Sequence, residues 1–265
     1  MERTLFPNDY VVVNKFTYGT KTPKRVQDIP VIGSLFKTNK ISHEYNLYSS
    51  LRAFKSFQRE DIVVFKSVEE NDKFLIKRII GLPGDALQIK STQLFINDTL
   101  LLENENYCYT YIDNSKKDMS LIQTYSNIEF EKLGGEQQQF IKKNIQLKPR
   151  KQSFLFPYPF AKEHKWTRDN YGELIIPKKG MKMLLTKDNF EIYKYIIKNY
   201  ELTELKIKGN KSISYIFKNN YYFMMGDNRH ASKDSRYFGF VPESYIQGKM
   251  IGVFSKERLF QSQGR

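Results

Sequence analysis

Short apolar runs of strand length recur along the chain, each closed by turn residues. YVVVNKF, within a strand spanning 9–16, follows a Pro-Asn-Asp turn. DIVVFK at 61–66 and FLIKRII at 74–80 flank the hairpin-sized polar loop SVEENDK. After GLPGD come ALQIK and QLFIN, and Asn97-Asp98 turns the chain into TLLLEN. A different territory follows, from about 101 to 218, richer in Asn, Gln and Lys. Within it, TKDNFEIYKYIIKNYE has helical spacing: Thr186 can cap it, and Phe190, Tyr193, Ile196, Ile197 and Tyr200 share a face. KSISYIFK and YYFMM then read as strands around a Lys-Asn-Asn turn. The span 17–57 has little regular pattern. Strands in hairpins predict a mainly β, antiparallel architecture, with a discontinuous core of residues 1–100 and 219–265. A mixed α/β insertion over 101–218, with one helix near 187–200, interrupts it.

FLIKRII places two cations inside an apolar run. The pleat puts Leu75, Lys77 and Ile79 on one face and Phe74, Ile76, Arg78 and Ile80 on the other. A lysine between aliphatics on a buried face loses hydration, which disfavours its charged form and suits it to act as a general base. A lysine that snorkels from a sheet edge to water is the plainer alternative for the heptapeptide taken alone.

Composition narrows the field of functions. The chain has 265 residues, with 18 Tyr and 20 Phe, and is 40% hydrophobic, which excludes global disorder. Its 43 Lys and Arg against 29 Asp and Glu give +14, a charge that suits nucleic acid or an anionic membrane surface. Only IKKNIQLKPRKQ at 141–152 forms a dense run, so a solvated basic surface accounts for the rest. Cys108 is the single cysteine and the three histidines lie far apart, so neither a disulfide nor a zinc site is expected. No apolar run approaches the ~18–20 residues that span a bilayer. As written, the chain is expected to carry no transmembrane segment.

The second concentration of chemistry is GDNRHASKDSRYFGF at 226–240, with two Asp, two Arg, two Ser, an Asn and a His in one loop. Such a loop can brace a site or simply be a solvated surface. His230, Ser232 and Asp234 lie two apart on this loop, whereas the members of a Ser-His-Asp triad come from separated segments.

PNDYVVVNKFTYG, REDIVVFK, FLIKRIIGLPGD and GDNRHASKDSRYFGFVPESYIQGK occur in the order seen in bacterial type I signal peptidases, and the chain resembles that family. These are membrane-bound serine proteases that cut signal peptides from exported proteins. The match covers roughly 1–20, 59–100 and 220–252, and the middle resembles the longer insertion of the Bacteroidetes versions. The resemblance implies a Ser/Lys dyad without histidine, metal or organic cofactor. It assigns Lys77 as general base, Ser232 as the hydroxyl that orients it, and Arg78 as a cation braced by a carboxylate of the second loop. It further implies a supporting Asp234–Arg236 ion pair, Gly226 and Asp227 at the start of the box, and Met1, Leu5, Leu75 and Ile76 in shallow apolar substrate pockets. His230 fits the Bacteroidetes variant, and Ala231 is a less usual neighbour of Ser232.

One part of the family pattern is not met. The nucleophile stands in Ser-Met-x-Pro-Thr-Leu, which here reads Met1-Glu2-Arg3-Thr4-Leu5, so the serine's place precedes Met1. The first serine, Ser34, is no substitute. The expectation is a signal peptidase truncated just after its nucleophile and inactive as written. The full-length protein would sit in the cytoplasmic membrane with its catalytic domain on the periplasmic face. It would act as a monomer, with signal peptides and the lipid surface as partners and no nucleic acid. Two alternatives stand beside it: an inactive homologue that binds signal peptides or membrane, and a basic β protein that binds nucleic acid.

Overall fold

The structure is a computed structural model and describes residues 5, 9–15, 21–23, 48–50, 56–70, 72–116, 119–146, 157–159, 164–207, 209 and 211–254. The expectation for 17–57 therefore falls largely outside the described residues, as does Met1. Within that span, Lys21–Pro23 pairs with Tyr48–Ser50.

The sheet that carries the site has six strands, in the order Tyr10–Asn14, Ile246–Phe254, Ile62–Lys66, Phe74–Gly81, Tyr221–Met225 and Val241–Pro242. Its pairings are all antiparallel. The two-residue period explains how it is buried. In YYFMM, Tyr221, Phe223 and Met225 enter one hydrophobic cluster, and Tyr222 and Met224 enter another on the opposite face. Ile79 and Ile80 divide between the same two clusters. The sheet is thus covered on both sides at its centre, and residues of FLIKRII change environment along their length. Phe74 is exposed, Leu75 to Lys77 are half-buried, and Arg78 to Gly81 are buried.

The GLPGD turn redirects the chain into a second sheet, ordered Tyr171–Ile175, Ala86–Lys90, Gln93–Ile96 and Thr99–Leu100. Asp85 staples the turn: its Oδ2 accepts from the Leu82 N–H at 2.7 Å and from Arg59 Nη1 at 3.0 Å. Asn97 and Asp98 have φ of +50° and +60°, the backbone a tight hairpin requires.

Two expectations need correction. KSISYIFK and YYFMM do not pair with each other. Ile213–Ile216 pairs with Lys182–Leu185, whereas Tyr221–Met225 pairs with Phe74–Gly81 and Val241–Pro242. Every residue of YYFMM is apolar enough to be buried on both faces, which suits a central position, while Ile216 is left exposed. The territory from 101 to 218 is mixed α/β as expected, but it holds the short helices Asn127–Glu131 and Gly135–Gln138 beside the one expected. Met119–Ser126, Cys108–Lys116 and Ile141–Lys143 form a three-stranded sheet, followed by other paired strands. The helix Lys187–Asn199 is present, with the Thr186 N–H bonded to Asn189 Oδ1 at 2.9 Å and Phe190, Ile192, Tyr193, Ile196 and Ile197 buried. Of the basic run at 141–152, residues 141–146 are described. Lys143 there is not simply solvated, since its ammonium lies 3.7 Å from the centre of the Tyr109 ring.

Gly248 lets the outer strand close onto the sheet. A Cβ there would stand 2.3 Å from the Asn14 carbonyl oxygen and 2.8 Å from Val13 Cγ1. Backbone cannot yield as a side-chain end can, so Gly248→Ala is expected to cost roughly 1–3 kcal/mol of stability. Chemical denaturation should show a lower midpoint, and an unchanged midpoint would contradict the close approach.

Candidate active site

The ladder between Phe74–Gly81 and Tyr221–Met225 sets Met225 opposite Arg78. One step further brings Gly226 opposite Lys77, at the point where the strand becomes the 226–240 loop. The loop folds back over this glycine. A Cβ at Gly226 would lie 2.2 Å from Ser232 Oγ and 3.4 Å from Lys77 Nζ. Lysine amine and serine hydroxyl therefore converge on the space that glycine leaves empty. Ser232 is buried, and its hydroxyl has no hydrogen-bond partner among the described residues. Lys77 is half-buried rather than sealed between aliphatics. A buried hydroxyl beside a lysine amine can exchange a proton with it or fix its direction.

Arg78, on the other face of the strand, is buried and doubly held. Its Nε and Nη2 donate to the two carboxylate oxygens of Asp227 at 2.9 and 2.8 Å, and its Nη1 donates to the Glu60 carbonyl at 3.0 Å. Glu60 Oε2 lies 3.6 Å from Nη1. Burial alone would lower the guanidinium's pKa, but the Asp227 carboxylate, with help from Tyr107 and Glu60, raises it, so the cation persists.

The second ion pair lies in the loop itself. Arg236 is 1% exposed and donates to both Asp234 oxygens at 2.9 and 2.8 Å. Its remaining donors reach the carbonyls of Arg229 at 2.6 Å and Arg168 at 3.2 Å. Asp234 also accepts from the Gly226 N–H at 3.2 Å. Burial pushes the Asp234 carboxyl up, yet Arg236, the Gly226 amide and the charge of Lys77 together hold it below the usual carboxylate range. Gly226, Asp227, Ser232, Asp234 and Arg236 are thus gathered around Lys77 and Arg78.

Of the pocket candidates, Leu5, Leu75 and Ile76 are half-buried. Leu75 packs with Ile79 in one cluster, and the pleat turns Ile76 to the opposite face. Among the described residues, no group of three His, Cys, Asp or Glu is placed to hold a metal ion.

The sequence pattern did not reveal several braces. His230 does not face Ser232. Its Nε2 lies 3.0 Å from Asp169 Oδ1, and its Nδ1 accepts from the Thr110 N–H at 3.1 Å. Since Nδ1 accepts, the proton sits on Nε2 and the ring is neutral. Ser235 Oγ accepts from the Met224 N–H at 2.8 Å, tying the loop back to its own strand. Asp169 belongs to KWTRDNYG, and no local feature ties that segment to the loop.

The family described as Signal peptidase, peptidase S26 matches residues 1–152 and 167–255, and the chain belongs to that family. A Signal peptidase I of Buchnera aphidicola subsp. Schizaphis graminum is 32% identical over 256 residues, 96% of this chain and 64% of that protein. The Signal peptidase I of Pseudomonas aeruginosa is 24% identical over 265 residues, 96% of this chain and 61% of that protein. A solved structure of a signal peptidase I from Enterococcus faecalis V583 is 21% identical with a TM-score of 0.32, covering 74% of this chain and 98% of that one. The chain spans less than two thirds of the length of the Buchnera and Pseudomonas relatives.

The His230 contact carries a pH dependence. Burial, the leading cause, pulls the imidazole below its ordinary pKa, against the opposing pull of Asp169. The unfolded chain then takes up the proton first, so the stabilisation is full above about pH 6.5 and fades as pH falls below it. The margin in Tm of the wild type over His230→Asn is expected to shrink between pH 8 and pH 5. A margin that stays constant across that range would exclude this account.

Proposed function

We propose that the complete protein is a serine endopeptidase of the signal peptidase I type, removing signal peptides from exported preproteins with a Ser/Lys dyad. The convergence of Lys77 Nζ and Ser232 Oγ over Gly226 carries the reading, and family membership supports it. On the family's Ser-Met-x-Pro-Thr-Leu pattern the nucleophile's place directly precedes Met1, so the reading requires a serine there in the complete protein.

Lys77 removes the proton from that serine as its oxygen attacks the scissile carbonyl carbon. The resulting ammonium returns the proton to the departing amine, leaving an ester. Lys77 then takes a proton from water, whose oxygen displaces the serine, and the serine regains its hydrogen. Ser232 directs the amine, and the ion pairs Arg78–Asp227 and Asp234–Arg236 hold the loop. Leu5, Leu75 and Ile76, with Met1, supply apolar substrate contacts. The partners on this reading are signal peptides and the lipid surface, with the site on the periplasmic face of the cytoplasmic membrane and the protein a monomer. Among the described residues no helix is long and apolar enough to cross a membrane. The division into a core of 1–100 and 219–265 and an insertion of 101–218 is part of the same proposal.

The test is cleavage of a purified preprotein by the product of the full reading frame, including any in-frame codons before Met1. That product is expected to release the signal peptide, and the 265-residue chain alone to release none. Lys77→Met should lower kcat/KM by ~10²–10⁴-fold, the worth of a positioned general base. Gly226→Ala, whose Cβ would collide with Ser232, should lower it severely as well. Undiminished cleavage by Lys77→Met would refute the mechanism. Preprotein binding without cleavage by the full product would instead identify a catalytically silent relative.

A further inference from the structure

Tyr107 lies outside both motifs, yet it touches three residues that surround the site. It is 2% exposed, and its hydroxyl donates to Glu60 Oε1 at 2.5 Å. Its ring centre is 5.9 Å from the Arg78 guanidinium carbon and 3.7 Å from that of Arg229. Arg229 is 4% exposed, and its Nε and Nη1 have no hydrogen-bond partner among the described residues. The ring face is therefore a principal contact for a desolvated cation, and such a contact strengthens where water is excluded. Glu60 is the residue whose carbonyl accepts from Arg78, and it holds a φ of +71°. The hydroxyl of Tyr107 fixes the side chain of that strained residue.

The next residue clamps the loop directly. Cys108 N–H donates to the Asp227 carbonyl at 2.8 Å, and Arg229 N–H donates to the Cys108 carbonyl at 2.8 Å, forming a parallel bridge across Asn228. Two residues further, Thr110 N–H reaches His230. The strand Cys108–Lys116 thus grips the loop by the backbone of Asp227 and Arg229 and by the ring of His230, and Asp227 is the residue that holds Arg78. Arg78 adjoins Lys77 in sequence, as Asp227 adjoins Gly226. Burial raises the Tyr107 hydroxyl pKa, so it stays a donor at working pH.

We infer that Tyr107 is a positioning residue for the proposed reaction. Its ring, set between Arg78 and Arg229, and its hydroxyl on Glu60 fix the loop so that Ser232 meets Lys77 over Gly226. The inference rests on the reading of Lys77 and Ser232 given above. It gives the start of the intervening segment a part in the site, beyond covering the core.

The experiment compares Tyr107→Phe and Tyr107→Leu in the full-length protein. Each is measured for kcat, KM, the pH–rate profile and Tm, below the melting range of the weakest variant. Tyr107→Leu, which removes ring and hydroxyl, is expected to lower kcat at least ~10-fold with little change in KM, because small misplacements of reacting groups are costly. Its pH–rate profile should shift along the limb that reports the lysine. Tyr107→Phe, which keeps the ring but takes the donor from Glu60 Oε1, should give a smaller loss of kcat and a smaller shift of the profile, between wild type and Tyr107→Leu. Variants with a lower Tm but wild-type kcat and pH profile would overturn the positioning role.

A wild type that cleaves no preprotein would instead defeat the functional reading, and the brace would be judged by hydrogen exchange. The Arg229 amide should then exchange faster in Tyr107→Leu than in Ile196→Ala, a core control matched for lost stability. Equal exchange in the two would overturn the brace itself.

Discussion

The arrangement of the site depends on one buried contact, the two-pronged bond between Arg78 and Asp227. Arg78 sits in a strand covered on both faces, where a lone guanidinium would be expensive to desolvate. Asp227 is the second residue past the end of the neighbouring strand, so the pairing fixes where the 226–240 loop begins. The contact does not have to be strong in net terms to be decisive. Breaking it leaves a buried charge without its partner, which disfavours every other position of the loop. The Asp234–Arg236 pair acts in the same way at the far side, with Arg236 also holding the carbonyls of Arg229 and Arg168.

Within that frame the chemistry turns on an absence of atoms. Only glycine at 226 leaves room for Ser232 Oγ to approach beside Lys77. The strand's alternation then separates two roles that its sequence places side by side. Lys77 turns toward Ser232, and Arg78 turns toward the ion pair that anchors the loop. Two adjacent cations in an apolar run thus face opposite ways. The strand from Cys108 adds a third support, gripping the loop backbone from outside the sheet.

Much of this was legible in the sequence because it is local. FLIKRIIGLPGD shows strand, period and turn within one short segment, and GDNRHASKDSR concentrates the groups that the loop turns inward. The helix Lys187–Asn199 was equally plain, since its apolar spacing and cap lie within a few turns. What was not legible is long-range. His230 meets Asp169 across 61 residues, and Tyr107 meets Glu60 across 47, with no pattern at either end to announce the contact. The strand CYTYIDNSK is polar enough to pass for loop, because only Cys108, Tyr109 and Tyr111 of it are buried while its backbone bonds the 226–240 loop and two flanking strands. YYFMM reads as a strand from its sequence, but the turn before it suggests a neighbour it does not have. Its burial on both faces, not its closeness to the preceding strand, decides its partner.

The Arg78–Asp227 contact holds the loop in register with Lys77. A double-mutant cycle on stability, with Arg78→Met, Asp227→Leu and the pair together, tests it most directly. Each single change should cost about 3–5 kcal/mol by leaving a buried charge unpaired, and the double change much less than their sum. Costs that simply add would mean that the two residues do not act on each other, and the loop would need another anchor.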